Sequence, residues 1–245
     1  MYEELKKMID ESGRIVFFGG AGVSTESNIP DFRSANGLYN ANTKYGMSPE
    51  ALISHSYFMA NMQNFFEYYK ENMIFEDAEP NKAHIALAKL EKEGKLLAVV
   101  TQNIDGLHQK AGSKTVYELH GSVRKNRCMD CGREYSLEYI MDPDNCKGSV
   151  PHCSACGGVV KPEVVLYEEG LDDATVRGAV MAIAEADMLI VGGTSLVVYP
   201  AAGLINYFRG NHLVLINRDS TPYDNQADLV IHDSIGKVLG EVVGV

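Results

Sequence analysis

A short apolar run closed by glycines, near the start of the chain, constrains the fold most. Residues 14–18 read Arg-Ile-Val-Phe-Phe and lead into Gly19 and Gly20. A short β-branched and aromatic run predicts a strand buried in a parallel sheet. The glycine-rich turn after it is typical of a phosphate site, because Gly20 and Gly22 carry no Cβ that would keep a pyrophosphate away from backbone N–H groups. A helix starting just after the turn would direct its positive end at the same charge.

This turn departs from the ordinary dinucleotide-binding fingerprint. The G-x-G-x-x-G pattern requires a glycine where Thr25 stands, and an acidic residue about 20 positions further on, closing a second strand. The chain has neither. Instead, residues 29–33, Ile-Pro-Asp-Phe-Arg, combine a rigid proline, an aromatic ring and a planar cation. We expect a loop that folds over a bound nucleotide; the alternative is a tight turn without a ligand.

Helical and strand patterns alternate along most of the chain. Helices are predicted over 2–12, 48–73, 80–94, 173–185 and 200–209, strands over 96–100, 188–191 and 212–216, a short apolar segment at 116–119, and a last strand and helix within 228–243. The alternation predicts an α/β fold whose sheet is built from both ends of the chain. Polar residues 101–108 follow one strand directly, and parallel sheets bind ligands just past their strand ends.

The middle of the chain has a different composition. Between Ser122 and about Pro162 the hydrophobic periodicity is lost, and two C-x-x-C pairs occur 21 residues apart: Cys128, Cys131, Cys153 and Cys156. This spacing predicts a four-thiolate zinc site in a small inserted module. Four protein ligands leave no position for water, so the zinc would be structural. A redox motif or disulfides are weaker alternatives, and Cys146 and His152 are expected to be bystanders.

Charge and composition exclude some classes of function. The net charge of −11 argues against general binding to nucleic acid, although it is compatible with a basic peptide partner or simply with solubility. The first residues have no apolar signal core, and no run reaches the roughly 18 apolar residues that a membrane span needs. We expect a cytoplasmic protein, a monomer, with neither nucleic acid nor membrane as a direct partner.

Several motifs occur together in one order. They are GAGVSTESNIPDFRS, PNKAHIAL, TQNIDGLH, ELHGS, the paired C-x-x-C and GTSLVVYPAA. In this combination the chain resembles the sirtuins, NAD-dependent protein lysine deacylases. The resemblance implies a Rossmann-like large domain, with helices on both faces of its parallel sheet, over residues 1–121 and 163–245. It also implies a small zinc-binding module over 122–162, with helical residues 36–75 packed beside it and a cleft between the two.

The resemblance also implies a reaction and residue roles. NAD is consumed as a reactant, nicotinamide leaves, and the acetyl group of acetyl-lysine ends on ADP-ribose. His120 matches the general base, a role that suits an imidazole with a pKa near 6.5. Asn103 would position the ribose or its water. The cofactor-binding positions are Ala21, Thr25, Phe32, Arg33, Gln102, Ile104, Asp105, His120, Thr194, Ser195, Asn217, Arg218 and Ile235.

Peptide binding in the family uses backbone pairing with an extended strand. The matching segment here is 162–169, in which Val165 and Tyr167 would face the lysine tunnel or the substrate backbone. Two residues depart from the pattern: the family often has glycine where Glu168 stands, and has glycine where Asn28 stands. The first change puts peptide preference in doubt, whereas the second should be mild because asparagine tolerates a positive φ.

The resemblance also bears on the acyl group. Members that remove succinyl or malonyl groups carry a tyrosine and an arginine where this chain has Phe66 and Tyr69. Without the arginine, a carboxylate on the acyl chain would lose its charge partner in a buried pocket. We expect acetyl, or longer aliphatic groups, to be preferred over succinyl and malonyl.

Three other functions compete with this interpretation. ADP-ribosyl transfer to a protein would use the same cofactor, but it does not need a base at His120. A non-catalytic NAD-binding module would not need the intact set Asn103, Asp105 and His120. A zinc-ribbon protein that binds nucleic acid is disfavoured by the acidic charge.

Overall fold

The predicted apolar strands form one parallel sheet. The computed structural model describes residues 2–31 and 46–245, and it places β1 (Ile15–Gly19) between β2 (Leu96–Thr101) and β9 (Met188–Gly192). Beyond β2 lies β3 (Val116–Glu118), and beyond β9 lie β10 (His212–Ile216) and β11 (Leu229–Ile231). All five neighbouring pairs of this six-stranded sheet are parallel, which confirms the predicted α/β class.

Helices cover both faces of the sheet because successive side chains of a strand point to opposite sides. Phe17 packs with α1 (Glu3–Glu11), α5 (Lys82–Lys92) and α9 (Ile235–Val243) in one core. Val16 and Phe18 belong to a second core with α8 (Asp173–Glu185) and a 3-10 helix, Ala201–Tyr207. The strands are therefore buried on both faces, as their continuous apolar runs predict.

A smaller antiparallel region carries the cysteines. Its main sheet pairs β4 (Gly121–Cys128) with β5 (Glu134–Tyr135) and β8 (Val160–Val164), and β6 (Cys146–Lys147) pairs with β7 (Val150–Pro151). A short helix, α7 (Leu137–Met141), lies between these strands in the chain. A third core joins residues of this region with residues 52–74.

Two predicted helices differ in the structure. Residues 48–73 form three helices: α2 (Pro49–Leu52), α3 (His55–Ala60) and α4 (Met62–Asn72). The breaks occur because Ser54 adopts extended backbone and caps α3 through its side chain, and Asn61 leaves helical geometry. The segment predicted at 200–209 contains a 3-10 helix, Ala201–Tyr207, rather than an α-helix, and Gly203 in its middle has a low helix propensity.

The remaining described α-helix, α6 (Leu107–Ala111), follows the polar residues after β2. Within residues 2–31 and 46–245, each helix is too short or too polar to cross a lipid bilayer.

Candidate active site

The candidate site lies at the switch point of the sheet, where the strand order reverses. From β1 the chain proceeds to β2 on one side, whereas β9, on the other side of β1, is followed by β10 further out. The carboxyl ends of β1 and β9 meet at Gly19 and Gly192, which are paired in register. Open parallel sheets bind ligands in the crevice at such a switch point.

The glycines of the first loop are required by a second loop. Gly22 N–H donates to Gly193 O at 2.8 Å, and a Cβ on Gly22 would lie 2.8 Å from the Gly193 Cα. A Cβ on Gly20 would lie 2.9 Å from Thr194 Cβ. The sequence-based expectation assigned these glycines to the approach of a pyrophosphate, but the structure shows that close packing of the two loops already requires them. The turn continues as two short 3-10 helices, Ala21–Val23 and Thr25–Ser27.

Ser24 joins the first loop to the polar residues after β2. Its hydroxyl donates to Asp105 Oδ2 at 2.7 Å and accepts from Asn103 Nδ2 at 3.0 Å. The other oxygen of Asp105 accepts from Leu107 N–H at 2.9 Å. Ser24 is 1% exposed, so these bonds are shielded from water. They hold the Asn103 amide and the Asp105 carboxylate in fixed orientations.

A backbone carbonyl sets the tautomer of His120. His120 Nδ1 lies 2.9 Å from Gln102 O. Because a carbonyl oxygen can only accept, Nδ1 carries the proton, and Nε2 keeps the lone pair that a base needs. Burial lowers the pKa of His120 below its usual value near 6.5, and the bond to Gln102 opposes this in part. The imidazole is therefore neutral at pH 7.

Gln102 connects His120 to both loops. Its backbone N–H donates to Gly19 O at 3.0 Å, and its side-chain Nε2 donates to Thr194 Oγ1 at 3.1 Å. Thr194 Oγ1 also accepts from Leu196 N–H at 3.3 Å. One residue thus ties the ends of β1 and β2 to the loop that follows β9.

The predicted adenosine contacts lie past the ends of β9 and β10. Asn217 follows β10, donates its side-chain amide to Asp219 O at 2.7 Å and accepts at its carbonyl from His232. Ile235 is buried and packs against Gly192. Ser195 and Arg218 are exposed. Glu26, from the first loop, accepts from Gly236 N–H at 2.7 Å at the start of α9.

The four cysteines form a separate cluster. Their sulfur atoms lie within 4.8 Å of one another, with 3.5 Å between Cys128 and Cys156 and 3.6 Å between Cys131 and Cys153. Tetrahedral zinc with bonds of about 2.3 Å places sulfurs about 3.8 Å apart, so the cluster fits a structural zinc ion. Gly132 and Gly157 close the two turns with φ of 73° and 79°. Cys146, by contrast, lies beside Lys70 Nζ at 3.4 Å.

Comparison with known proteins identifies the family. The Sir2 family model matches residues 20–200, most of the chain. The chain belongs to the Sir2 family. It is 64% identical over 240 residues to an NAD-dependent protein deacetylase of Clostridium acetobutylicum, covering 98% of this chain and 97% of that protein.

Solved Sir2 structures share this fold. A Sir2–p53 peptide–NAD+ complex superposes with a TM-score of 0.86 at 36% identity, covering 100% of this chain and 98% of the other. A Sir2 bound to acetylated peptide gives a TM-score of 0.86 at 36% identity, with the same coverage. The sequence-based assignment to the sirtuins is confirmed.

The structure of this Sir2-family chain brings most predicted site residues to one edge of the sheet. Five of them fall into two hydrogen-bonded groups: Gln102 bonds to His120 and Thr194, and Asn103 and Asp105 share Ser24. Ala21 and Thr25 lie in the first loop, where Thr25 Oγ1 donates to Gly22 O at 3.0 Å. Ile104 accepts at its carbonyl from Val123 N–H at 3.0 Å. Phe32 and Arg33 lie outside the described residues.

The predicted peptide segment is attached to the site. Val165 N–H donates to the carbonyl of His120 at 2.9 Å. Both backbone groups of Tyr167 bond within the chain, since its N–H donates to Ile53 O and its carbonyl accepts from His55 N–H. Its side chain is 38% exposed. Both backbone groups of Tyr167 are therefore already bonded within the chain, while the residue reaches the surface.

Sequence reasoning missed two residues of the site. Ser24 was within a quoted motif but was given no role, although it bonds to both Asn103 and Asp105. Asn81 was expected only near a helix start. Its side-chain amide also donates to Val23 O at 2.8 Å and to Ser27 Oγ at 2.9 Å. Short polar side chains in loops give no sequence signal for the partners that they reach.

Phe66 and Tyr69, the predicted acyl-pocket positions, lie in the core that also holds the cysteine region. Phe66 is 0% exposed and Tyr69 is 1% exposed. Burial raises the pKa of Tyr69, whose hydroxyl has no hydrogen-bond partner among the described residues. Neither position carries a cationic side chain.

Proposed function

We propose that this protein is an NAD-dependent protein-lysine deacetylase whose reaction takes place at the switch point. Its products would be nicotinamide, O-acetyl-ADP-ribose and the deacetylated protein. Two observations support this. The chain is similar over almost its whole length to an NAD-dependent protein deacetylase, and its structural neighbours include a Sir2–peptide–NAD+ complex. The chain would comprise a large domain, 1–121 and 163–245, and a zinc module, 122–162, with residues 36–75 packed beside it.

The residues of the crevice fit a dinucleotide. Gly20, Gly22 and Gly193 let the loops after β1 and β9 pack closely against each other at the crevice. Bound NAD supplies an electrophilic ribose carbon and a leaving group, nicotinamide. In this proposal Asp105 accepts from the nicotinamide amide, which is possible because each of its oxygens has a second lone pair beyond the bond already made. Asn103, oriented by Ser24, positions the ribose.

His120 carries the acid–base chemistry in this proposal. The bond from Nδ1 to Gln102 O leaves Nε2 as the only proton acceptor of the ring. This fixed tautomer, in a residue kept neutral by burial, is the observation that carries the proposal. Nε2 would remove a proton from a ribose hydroxyl during acyl transfer. The remaining predicted cofactor contacts are Ala21, Thr25, Phe32, Arg33, Gln102, Ile104, Thr194, Ser195, Asn217, Arg218 and Ile235.

The peptide would lie along Val165 and Tyr167, with the acetyl group directed toward Phe66 and Tyr69. The lack of a cation at these two positions favours acetyl and longer aliphatic groups over succinyl and malonyl. The cysteine module would have a structural role, because a zinc ion with four thiolate ligands has no coordination position left for substrate.

The test is turnover with acylated peptides. Wild-type protein, NAD and matched acetyl-, butyryl- and succinyl-lysine peptides would be assayed by mass spectrometry for nicotinamide and for the O-acyl-ADP-ribose that carries the same acyl group as the peptide. We expect acetyl turnover to fall at least 100-fold in His120→Ala, with an unchanged melting temperature. ADP-ribose attached covalently to the protein, in place of free O-acetyl-ADP-ribose, would instead indicate ADP-ribosyl transfer. NAD binding without nicotinamide release would indicate a non-catalytic module.

A further inference from the structure

The segment after β8 is fixed to the helical region through its backbone. Tyr167 N–H donates to Ile53 O at 3.1 Å, and His55 N–H donates to Tyr167 O at 2.9 Å. Ser54 and Tyr167 form an isolated parallel bridge. This is the segment on which the proposed function places the peptide, so whatever stabilises it affects peptide binding.

Glu168 adds a second connection at the same place. Its Oε2 accepts from Ser56 N–H at 2.9 Å, and its Oε1 accepts from Ser56 Oγ at 2.9 Å. The backbone of Glu168 has a φ of 77°, a left-handed conformation that is unfavourable for residues with a Cβ. A non-glycine residue persists in such a conformation where surrounding contacts fix it, and the two bonds to Ser56 are such contacts.

Glu169 holds the other side of the turn. Its Oε1 lies 2.9 Å from His55 Nδ1, and its Oε2 accepts from Leu166 N–H at 2.9 Å and lies 3.3 Å from Lys161 Nζ. Leu166 itself is 2% exposed in the core beside the cysteine region. The two consecutive acids thus fix the backbone near Tyr167: Glu169 bonds to buried Leu166, and Glu168 bonds to Ser56 in α3.

An acidic residue beside a peptide segment suggests recognition of a basic substrate residue. In this structure, however, both oxygens of Glu168 accept hydrogen bonds from Ser56, so the carboxylate fixes the segment to the start of α3. We propose that Glu168 is a positioning residue: through Ser56 it holds the peptide-binding segment Val165–Tyr167 in its binding conformation, and it does not select the charge of the substrate. This inference rests on the proposed function for the site of peptide binding.

Three substitutions separate positioning from charge recognition. Glu168→Gln removes the charge but keeps an oxygen for Ser56 N–H and an amide for Ser56 Oγ, so we expect less than about a threefold rise in peptide KM. Glu168→Ala removes both bonds and retains the unfavourable φ, so we expect about a three- to tenfold rise. Glu168→Gly removes the bonds but relieves the backbone, so its KM should lie between these two.

The kinetic assay would use two acetyl-lysine peptides that differ only in flanking residues, neutral in one and arginine in the other. Positioning predicts the same KM ratio, variant over wild type, for both peptides, with the KM for NAD unchanged. Ser56→Ala removes the hydroxyl bond but keeps the backbone N–H donor, so it should raise peptide KM less than Glu168→Ala does. It should add little to Glu168→Ala, which already removes the same hydroxyl bond. Glu134→Gln, which alters an acid on β5 that pairs with Arg127 and lies outside the peptide segment, is the matched control.

Hydrogen exchange of the substrate-free protein gives an independent readout. Amides of residues 165–170 should exchange faster in Glu168→Ala than in wild type or Glu168→Gln, with no change in residues 96–105. Loss of affinity for the arginine peptide alone, in both Glu168→Gln and Glu168→Ala, would overturn the inference in favour of charge recognition. Unchanged exchange in Glu168→Ala would also overturn it. If the wild type shows no turnover, the proposed function fails, and the exchange experiment still decides the role of Glu168.

Discussion

A buried pair of histidines should make the protein sensitive to acid, and replacing one of them should remove part of that sensitivity. His84 and His108 are 0% and 1% exposed, and their ring centroids lie 4.7 Å apart. His84 Nδ1 accepts from Asn81 N–H at 3.2 Å, whereas His108 has no hydrogen-bond partner among the described residues. Burial lowers the pKa of His84 to about 4, although the nearby Asp105 opposes this, and burial with the neighbouring His84 lowers the pKa of His108 well below 6.5.

The sign of the pH effect follows from these lowered pKa values. Between about pH 4 and 6.5 the unfolded chain protonates both histidines and the folded protein does not, so stability falls as the pH falls through this range. At pH 5 an unfolded histidine with a pKa of 6.5 that stays neutral when folded costs about 2 kcal/mol. At pH 7.5 the same histidine costs almost nothing. For a chain of this size, about 2 kcal/mol corresponds to about 4–8 °C in melting temperature.

His108→Leu tests this reasoning. The substitution removes two unpaired ring nitrogens from the core, so at pH 7.5 we expect an unchanged or slightly higher melting temperature. At pH 5 the variant should melt about 4–8 °C above the wild type. Differential scanning fluorimetry from pH 5 to 7.5 would measure both curves, with Leu replacing the partly exposed His212 as the control. Acid loss of zinc affects both proteins alike, so curves for His108→Leu and wild type that run parallel at all pH values would refute the reasoning.

Three other predictions concern the site and the metal. Because burial lowers the pKa of His120, the acid limb of kcat/KM for deacetylation should have its midpoint below pH 6.5, measured by nicotinamide release between pH 5 and 8; a midpoint above 7 would contradict the assigned environment. Cys131→Ser should reduce bound zinc from one ion per chain to nearly none by elemental analysis and expose the small core to proteolysis; full zinc retention would show that the four thiols are not the ligands. Glu26→Ala removes the acceptor of Gly236 N–H at the start of α9 and should lower stability by about 1 kcal/mol in urea unfolding, whereas Glu26→Gln should retain most of it.

The fold was largely predictable because its signals are local. Buried parallel strands need continuous apolar runs, and these marked β1, β2, β9 and β10 closely. The cysteine cluster was predictable because two metal-binding turns need the C-x-x-C spacing. The left-handed backbone of Asn28, with a φ of 62°, was also predictable because the family has glycine at this position.

The remainder depends on contacts between distant residues. The first loop has glycine at position 22 because Gly193, 171 residues later, packs against it, and no local pattern records that contact. The role of Ser24 depends on the fold, which brings the ends of β1 and β2 together. The three helices within residues 48–73 depend on Ser54, whose extended backbone pairs with Tyr167. Helical periodicity alone does not reveal such breaks.

The central strand of the sheet has consequences for how the chain is made. β1 finds one neighbour in β2, complete at residue 101, but its other edge stays unpaired until residue 192 has been synthesised. At ribosomal rates this interval lasts roughly 5–20 seconds. All four zinc ligands emerge during it, so the nascent chain can complete its metal-bound module while its largest sheet still has an open, apolar strand at its centre.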